Sequence, residues 1–331
     1  VHVKVLGRSE ALRGSAFVWK RIVFAVVTVF VALTLNFILF RVLPGGPISQ
    51  ISRVPNASPA LKQALTAQFG LDKPIWEQYL LYLQQTLHGN LGVSYMNRQP
   101  VLDNLIEAFG NTIPMVATGT VLALMMGGLV GVISAVRRGS ATDHLSTNIA
   151  VLFYAFPTQF LGMMLLIIFA GVLPSAGMSD PFAIGGSQWD VFLDTLKHMI
   201  LPVATLALTL FAENALIVRS AMLETLGEDY ILTAKAKGVP RHRLIRAHAL
   251  RNAMLPIVTM VAMSLGAVVT GSILIEVIFS WPGIGRALYT AVLKRDYPML
   301  QGGFLAITVV VITFNLIADL IYYKLDPRIT T

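Results

Sequence analysis

The chain has 331 residues, 55% of them hydrophobic and only 13% charged, with a mean hydropathy of +0.70 and a formal charge of +8. A soluble domain carries about 25% charged residues, so this composition excludes an ordinary water-soluble fold and indicates one polytopic helical domain in a bilayer. With no cysteine, disulfide frameworks, thiolate metal sites and cysteine nucleophiles are excluded.

Six apolar runs of roughly the 20 residues needed to cross a hydrocarbon core predict spans at Ile22–Phe40, Thr112–Val136, Leu145–Leu173, Met199–Val218, Leu255–Phe279 and Gly303–Tyr323. Residues 1–21 form a basic segment (Lys4, Arg8, Arg13, Lys20, Arg21) ahead of the first run. That run is longer than a signal-peptide core and lacks a small-residue cleavage site, so it is expected to stay as an uncleaved first span. Placing both termini in the cytoplasm puts 16 Lys or Arg on that side against 9 on the other, which predicts an N-in, C-in topology. The basic residues lie between spans rather than along a soluble face, so the charge argues for topology and against nucleic acid.

Residues 41–109 form the long external segment. Ser58-Pro59 has the pattern of a helix start and Gly70 that of its end. Asp72-Lys73-Pro74 begins a second helix, whose Ile75, Tyr79, Leu83 and Leu87 fall near one face before His88-Gly89-Asn90 breaks it. Two readings stand: a solvated cap on the bundle, or a docking surface for an external partner. Pro114, Pro202 and Pro256 lie near span starts, where a missing N–H costs little. Pro157 lies deeper and is expected to kink the third span.

The most informative stretch is the cytoplasmic loop at 219–254, with seven cations: Arg219, Lys235, Lys237, Arg241, Arg243, Arg246 and Arg251. Thr225 and Glu228 have capping-box spacing, Lys235 and Lys237 suit a helix C-terminus, and Gly238 followed by Pro240 supplies a stop. A short helix at 226–238 is predicted outside the membrane. Its small residues Thr233, Ala234 and Ala236 would permit close approach to a groove on another protein, with Tyr230, Ile231 and Ala234 as an apolar contact face. The bland alternative is a positive-inside loop whose cations meet anionic lipid head groups.

Over nearly its whole length the chain resembles the B-type permease subunit of oligopeptide and dipeptide ABC importers. The resemblance rests on Asp229-Tyr230-Ile231-Leu232-Thr233-Ala234-Lys235-Ala236-Lys237-Gly238, then His248-Ala249-Leu250-Arg251-Asn252-Ala253 and Leu255-Pro256. It extends to Arg41-Val42-Leu43-Pro44-Gly45, Phe69-Gly70-Leu71-Asp72, Leu91-Gly92-Val93-Ser94, Trp281-Pro282-Gly283-Ile284-Gly285-Arg286 and Arg295-Asp296-Tyr297-Pro298. The family's acidic residue after Pro-Gly is Gly46 here, and its Gly-Asp-Leu-Gly reads Gly89-Asn90-Leu91-Gly92.

The resemblance implies an all-α type I permease fold, with residues 110–331 holding the last five spans and the loop. It implies a multi-pass protein of the bacterial inner membrane that pairs with a C-type permease, two cytoplasmic ATP-binding subunits and an external solute-binding protein. Peptide would be the substrate, with nickel or glutathione import as alternatives on the same architecture. The chain itself would be no enzyme and bind no cofactor. The 331 residues contain no G-x-x-x-x-G-K-[ST] phosphate loop, so ATP and Mg are expected on the partners.

By the same resemblance Tyr230, Ile231, Thr233, Ala234, Lys235, Ala236, Lys237, Gly238, His248 and Arg251 would couple to the ATPase. Trp281, Pro282, Gly283, Arg295 and Asp296 are candidates for an external gate or docking surface. Glu213, Glu276 and Asp319 lie in or near spans, where an ionisable group is costly and a pathway role is one reading; local hydrogen bonding is the other. A proton relay through those three acids, as in an ion-coupled secondary carrier, would call for internal repeats, and none is detectable. His198 and His248 are isolated in sequence, which argues against a metal site.

Overall fold

The computed structural model describes residues 2–42, 63, 66, 70, 72–180, 186–254, 257–258 and 272–325. Among the described residues the fold is helical, and the β pairing is a single bridge between Val93 and Pro100. The chain divides into two compact units, Val1–Gly110 with Gly283–Leu316, and Asn111–Pro282 with Ile317–Thr331.

In the first unit α1 (His2–Val42) is one continuous helix, whose residues Val18–Arg41 are long and apolar enough to span a membrane. Helix α2 (Ile75–Leu87) follows, then the first turns of α3 (Val101–Val136). Gly70 is left-handed at φ +57°, as a helix end requires, whereas the predicted Ser58-Pro59 helix start lies outside the described residues. The core gathers Phe40, Val101, Leu105, Ile284, Leu288 and Leu300.

The second unit begins with the rest of α3, which starts eleven residues before the predicted Thr112. Next come α4 (Ala141–Ala155) and α5 (Thr158–Ile168). Where one span was predicted at Leu145–Leu173, these two helices meet at 103°. Pro157 sits at the break as expected, because it cannot donate to the preceding turn, and the second helix stops at Ile168. Helix α6 (Gln188–Leu226) is 39 residues long and overruns Met199–Val218 at both ends. Its start is fixed by a reciprocal capping box between Ser187 and Asp190.

Helices α3 and α6 touch backbone to backbone. A Cβ on Gly127 would lie 2.6 Å from Asn214 Cβ, and one on Gly131 would lie 2.7 Å from the Ala215 carbonyl oxygen. Glycines four apart on one helix face remove the side chains that would hold the helices apart, a common solution in lipid.

Among the described residues, four helices are long and apolar enough to cross a membrane, or five if the bent pair counts as one. The predicted fifth span falls mostly outside the described residues; its described end is α8 (Ile273–Ile278). Helices α9 (Ile284–Lys294) and α10 (Tyr297–Leu325) complete the chain.

Candidate functional site

Within the second unit, the loop of seven cations grows directly out of α6. Arg219 donates from Nε to Asp143 Oδ1 at 2.8 Å and from a terminal nitrogen to Oδ2 at 3.0 Å. Asp143 is buried at the start of α4, where it also accepts from the Ser134 hydroxyl and from the Gly139 amide at 2.9 Å. The turn after α3, the start of α4 and the end of α6 are thereby tied at one carboxylate. Sequence reasoning missed Asp143 and Ser134, because the partners lie 76 and 85 residues from Arg219. A signal for part of this was present: Ser140-x-x-Asp143 has capping spacing, and the Ser140 hydroxyl accepts from the Asp143 amide.

Helix α6 stops at Gly227, and α7 (Asp229–Ala236) follows. The expected capping box does not form. Thr225 is buried and gives its hydroxyl to the Ala221 carbonyl one turn back, so Glu228 is an N-cap by backbone conformation alone. The C-terminal stop is as predicted: Gly238 has φ +76°, its amide reaches the Lys235 carbonyl at 3.0 Å, and the Val239 amide reaches Ala234 at 3.2 Å. This pair of bonds is a Schellman closure. The helix is eight residues, shorter than the predicted 226–238.

The two faces of α7 divide differently from expectation. Ile231 and Ala234, predicted on the outward apolar face, are buried in this chain's own core with Val218, Ala221, Met222, Leu244 and Ala249. Their spacing of three residues puts both against the end of α6, and burial of apolar surface outweighs leaving it for a partner. Thr233, Lys235, Ala236, Lys237 and Gly238 are exposed, with Tyr230 and Leu232 beside them. Tyr230 is steadied by a 2.7 Å bond from Asn252 to its hydroxyl.

Beyond Pro240, Arg241–Arg243 leads into a π-helical turn at Leu244–Leu250. Such widened turns are uncommon and cluster at functional sites. His248 lies half-buried on it and Arg251 is exposed just after it. Arg241 donates to the Val136 carbonyl at 3.1 Å, beside an open groove of about 440 Å³ lined by Arg138, Lys235 and Arg241 together with Leu223, Leu226 and Leu244.

The remaining candidates separate. Glu213 is exposed on α6, on one stripe with Thr209, Ser220 and Glu224. Glu276 is fully buried, and its carboxylate accepts from Thr112 at 2.9 Å and Ser272 at 3.1 Å, which makes it a bridge inside the second unit. Asp319 is half-buried on α10.

Trp281 is also buried rather than presented for docking, and its indole N–H donates to the Asn111 carbonyl at 2.9 Å. Pro282 is exposed and Gly283 buried. In the first unit Arg295 is exposed, but Asp296 is fully buried and accepts from the Ser94 hydroxyl at 2.5 Å. Burial, reinforced by Asp296, pushes the nearby Tyr95 phenol well above its usual range. Aromatic bulk and a carboxylate that pairs with a distant serine are thus spent on holding the fold.

The model of the family described as binding-protein-dependent transport system inner membrane component matches residues 127–331, and the model of its membrane-component N-terminal region matches residues 15–116. The chain belongs to this family. It is 40% identical to the dipeptide transport system permease protein DppB of Escherichia coli strain K12, over 92% of this chain and 96% of that protein. It is 34% identical to the di/tripeptide transport system permease protein DppB of Pseudomonas aeruginosa strain UCBPP-PA14, over 95% and 98%. The glutathione transport system permease protein GsiC of Escherichia coli strain K12 is 35% identical, over 95% and 98%. Among solved structures, an amino acid ABC transporter matches 75% of this chain and 98% of its own at 15% identity and a TM-score of 0.47, too loose to carry any argument. As an inner membrane transport component of this family, the chain is a multi-pass membrane protein, which accords with the four or five span-length helices among the described residues.

Proposed function

We propose that the chain is half of the translocation pathway of an ATP-driven peptide importer, and that α7 is the element through which a separate ATPase moves it. Its partners are a C-type permease, two cytoplasmic ATP-binding subunits that hold ATP and Mg, and an external solute-binding protein. Both termini and the 219–254 loop face the cytoplasm. Closure of the ATPase dimer draws the coupling helices together, the two permeases rock from inward-open to outward-open, and the binding protein releases peptide into the pathway.

One observation carries this reading: α7 is two-sided. Its inner face, Ile231 and Ala234, is fused to the end of α6, while its outer face offers small or short groups at Thr233, Ala236 and Gly238, between Lys235 and Lys237. A partner groove can approach that outer face closely, and a push there reaches α6 without passing through a flexible joint. The exposed Glu213 stripe on α6 is the pathway surface best placed to respond. The dipeptide and di/tripeptide relatives support a short peptide as the substrate, and the glutathione relative extends the same class.

The test is ATP-dependent uptake of labelled dipeptide by proteoliposomes holding the chain with its co-purified partners. Uptake with the binding protein and ATP present, competed by di- and tripeptides, is the expected result. Uptake by the chain alone under a pH gradient would overturn the reading in favour of a secondary carrier, and competition by nickel without any by peptide would overturn the substrate class.

A further inference from the structure

In the first unit, helix α2 leaves a stripe of large apolar side chains open. At 100° per residue, Gln78, Tyr82 and Gln85 form one stripe, turned inward onto a small cavity of about 50 Å³ that Arg41 and Tyr95 also line. Diametrically opposite run Trp76, Leu80 and Leu87, which are 61%, 56% and 82% exposed. Ile75, Tyr79, Leu83 and Leu87 were expected near one face, yet Ile75 and Leu87 are exposed while Tyr79 and Leu83 are half-buried, and none of the helix's residues is fully buried. Leu81 and Leu83 are half-buried and Gln84 is exposed, so the inner and outer sides are mixed, but a helix in water keeps large apolar side chains off its open face. The open stripe of Trp76, Leu80 and Leu87 suits a helix whose outer side meets hydrocarbon.

Its depth agrees. The Tyr79 hydroxyl and the Thr34 hydroxyl share a hydrogen bond of 2.7 Å. The Phe37 ring meets Tyr79 edge-on at 5.2 Å and lies 5.5 Å from Tyr82. Thr34 lies seven residues before Arg41, the end of the apolar span Val18–Arg41, which at about 1.5 Å per residue is roughly 10 Å inside it. Helix α2 therefore sits beside the span rather than above it. Leu35, Ile38 and Leu39 of α1 are exposed as well. Tryptophan at such a level is the side chain that favours a membrane interface.

We propose that α2 is a membrane-embedded interfacial helix, with Trp76, Leu80 and Leu87 set into the lipid at the Arg41 end of the first span. The segment 41–109 is then in part an anchor that holds the outer end of α1 and the cavity beside it at a fixed depth, rather than a cap standing in water. This rests on membrane residence alone and not on the peptide reading.

The absence of native cysteine gives a clean test. Single variants Leu80→Cys, Leu87→Cys and, as the water-exposed control, Lys73→Cys are prepared in the chain assembled with its co-purifying subunits in nanodiscs. Each is timed against a membrane-impermeant maleimide. Each is then labelled with bimane and read in lipids brominated along their acyl chains. We expect the two leucine sites to react at least tenfold more slowly than position 73 and their bimane to lose at least half its emission to the brominated lipid. Reaction at the control rate would overturn the proposal by showing a water-facing helix. Slow reaction without quenching would overturn it equally, by showing that protein covers the stripe. Uptake by the same variants reports on the transport reading separately.

Discussion

Arg219 and Asp143 are joined by two parallel hydrogen bonds, Nε to Oδ1 at 2.8 Å and a terminal nitrogen to Oδ2 at 3.0 Å, with the carboxylate side chain only 3% exposed. Paired this way, the two groups tie the later part of α6 to the start of α4. Removing the carboxylate strands the guanidinium and the donors of Ser134 and Gly139. Asp143→Leu is expected to cost about 2–3 kcal/mol, the scale of a charge-assisted hydrogen bond lost from a buried site. In a thermal-unfolding cycle with Arg219→Met, the double variant is expected to lose less than the sum of the singles, by about 1–3 kcal/mol; strict additivity would refute the pairing.

The two faces of α7 predict two opposite phenotypes. Ala236 is exposed, so Ala236→Trp is expected to leave the unfolding temperature unchanged while reducing ATP-driven uptake at least tenfold, because the partner can no longer approach. Ile231 is completely buried, so Ile231→Ala is expected to cost about 2–5 kcal/mol as a cavity, with uptake falling in step with folded protein. Uptake and unfolding, measured on the same preparations, separate the two.

Gly238 closes α7 at φ +76°. Any L side chain there is strained, by about 1–2 kcal/mol, and asparagine is the best tolerated. Gly238→Asn is expected to retain more uptake than Gly238→Val, and Gly238→Pro to abolish it, since its ring cannot reach positive φ and lacks the N–H that bonds Lys235. Equal uptake by all three would show that the closure is irrelevant.

Along α3, Gly131→Leu is expected to block assembly, because a Cβ already sits 2.7 Å from the Ala215 carbonyl oxygen. Gly128, which has nothing within 4 Å of an added Cβ, is the matched control, and Gly128→Leu is expected to insert and assemble normally. Yield of the complex after membrane extraction decides it.

How far the sequence could be read follows from the range of each interaction. Gly238 and Pro157 act through their own backbone angles, so the stop and the bend were legible. Lengths read from apolar runs fell short because α3 and α6 extend past the hydrocarbon, where the residues turn polar but the helix continues. Thr225 misled because its hydroxyl had a choice between the amide ahead and the carbonyl behind, and burial beside Ala221 decided for the latter. Glu276 stood out because an ionisable group in a span is costly, and Asp296 and Trp281 because they belong to the motifs that carry the resemblance; their partners Thr112, Ser94 and Asn111 lie too far along the chain for pattern to reveal. The open apolar stripe of α2 was hidden for a related reason. Periodicity shows that a helix has two faces but not which one meets solvent.

The 103° bend at Pro157 has a further consequence. Helix α4 has fifteen residues and rises only about 22 Å, short of a hydrocarbon thickness of about 30 Å, while α5 turns aside instead of making up the difference. A bilayer of full thickness around this corner would meet too little apolar height, a hydrophobic mismatch. Thinning the lipid relieves it, so reconstitution in shorter acyl chains is expected to stabilise the bent pair, and the surrounding membrane becomes one of the quantities to which the protein responds.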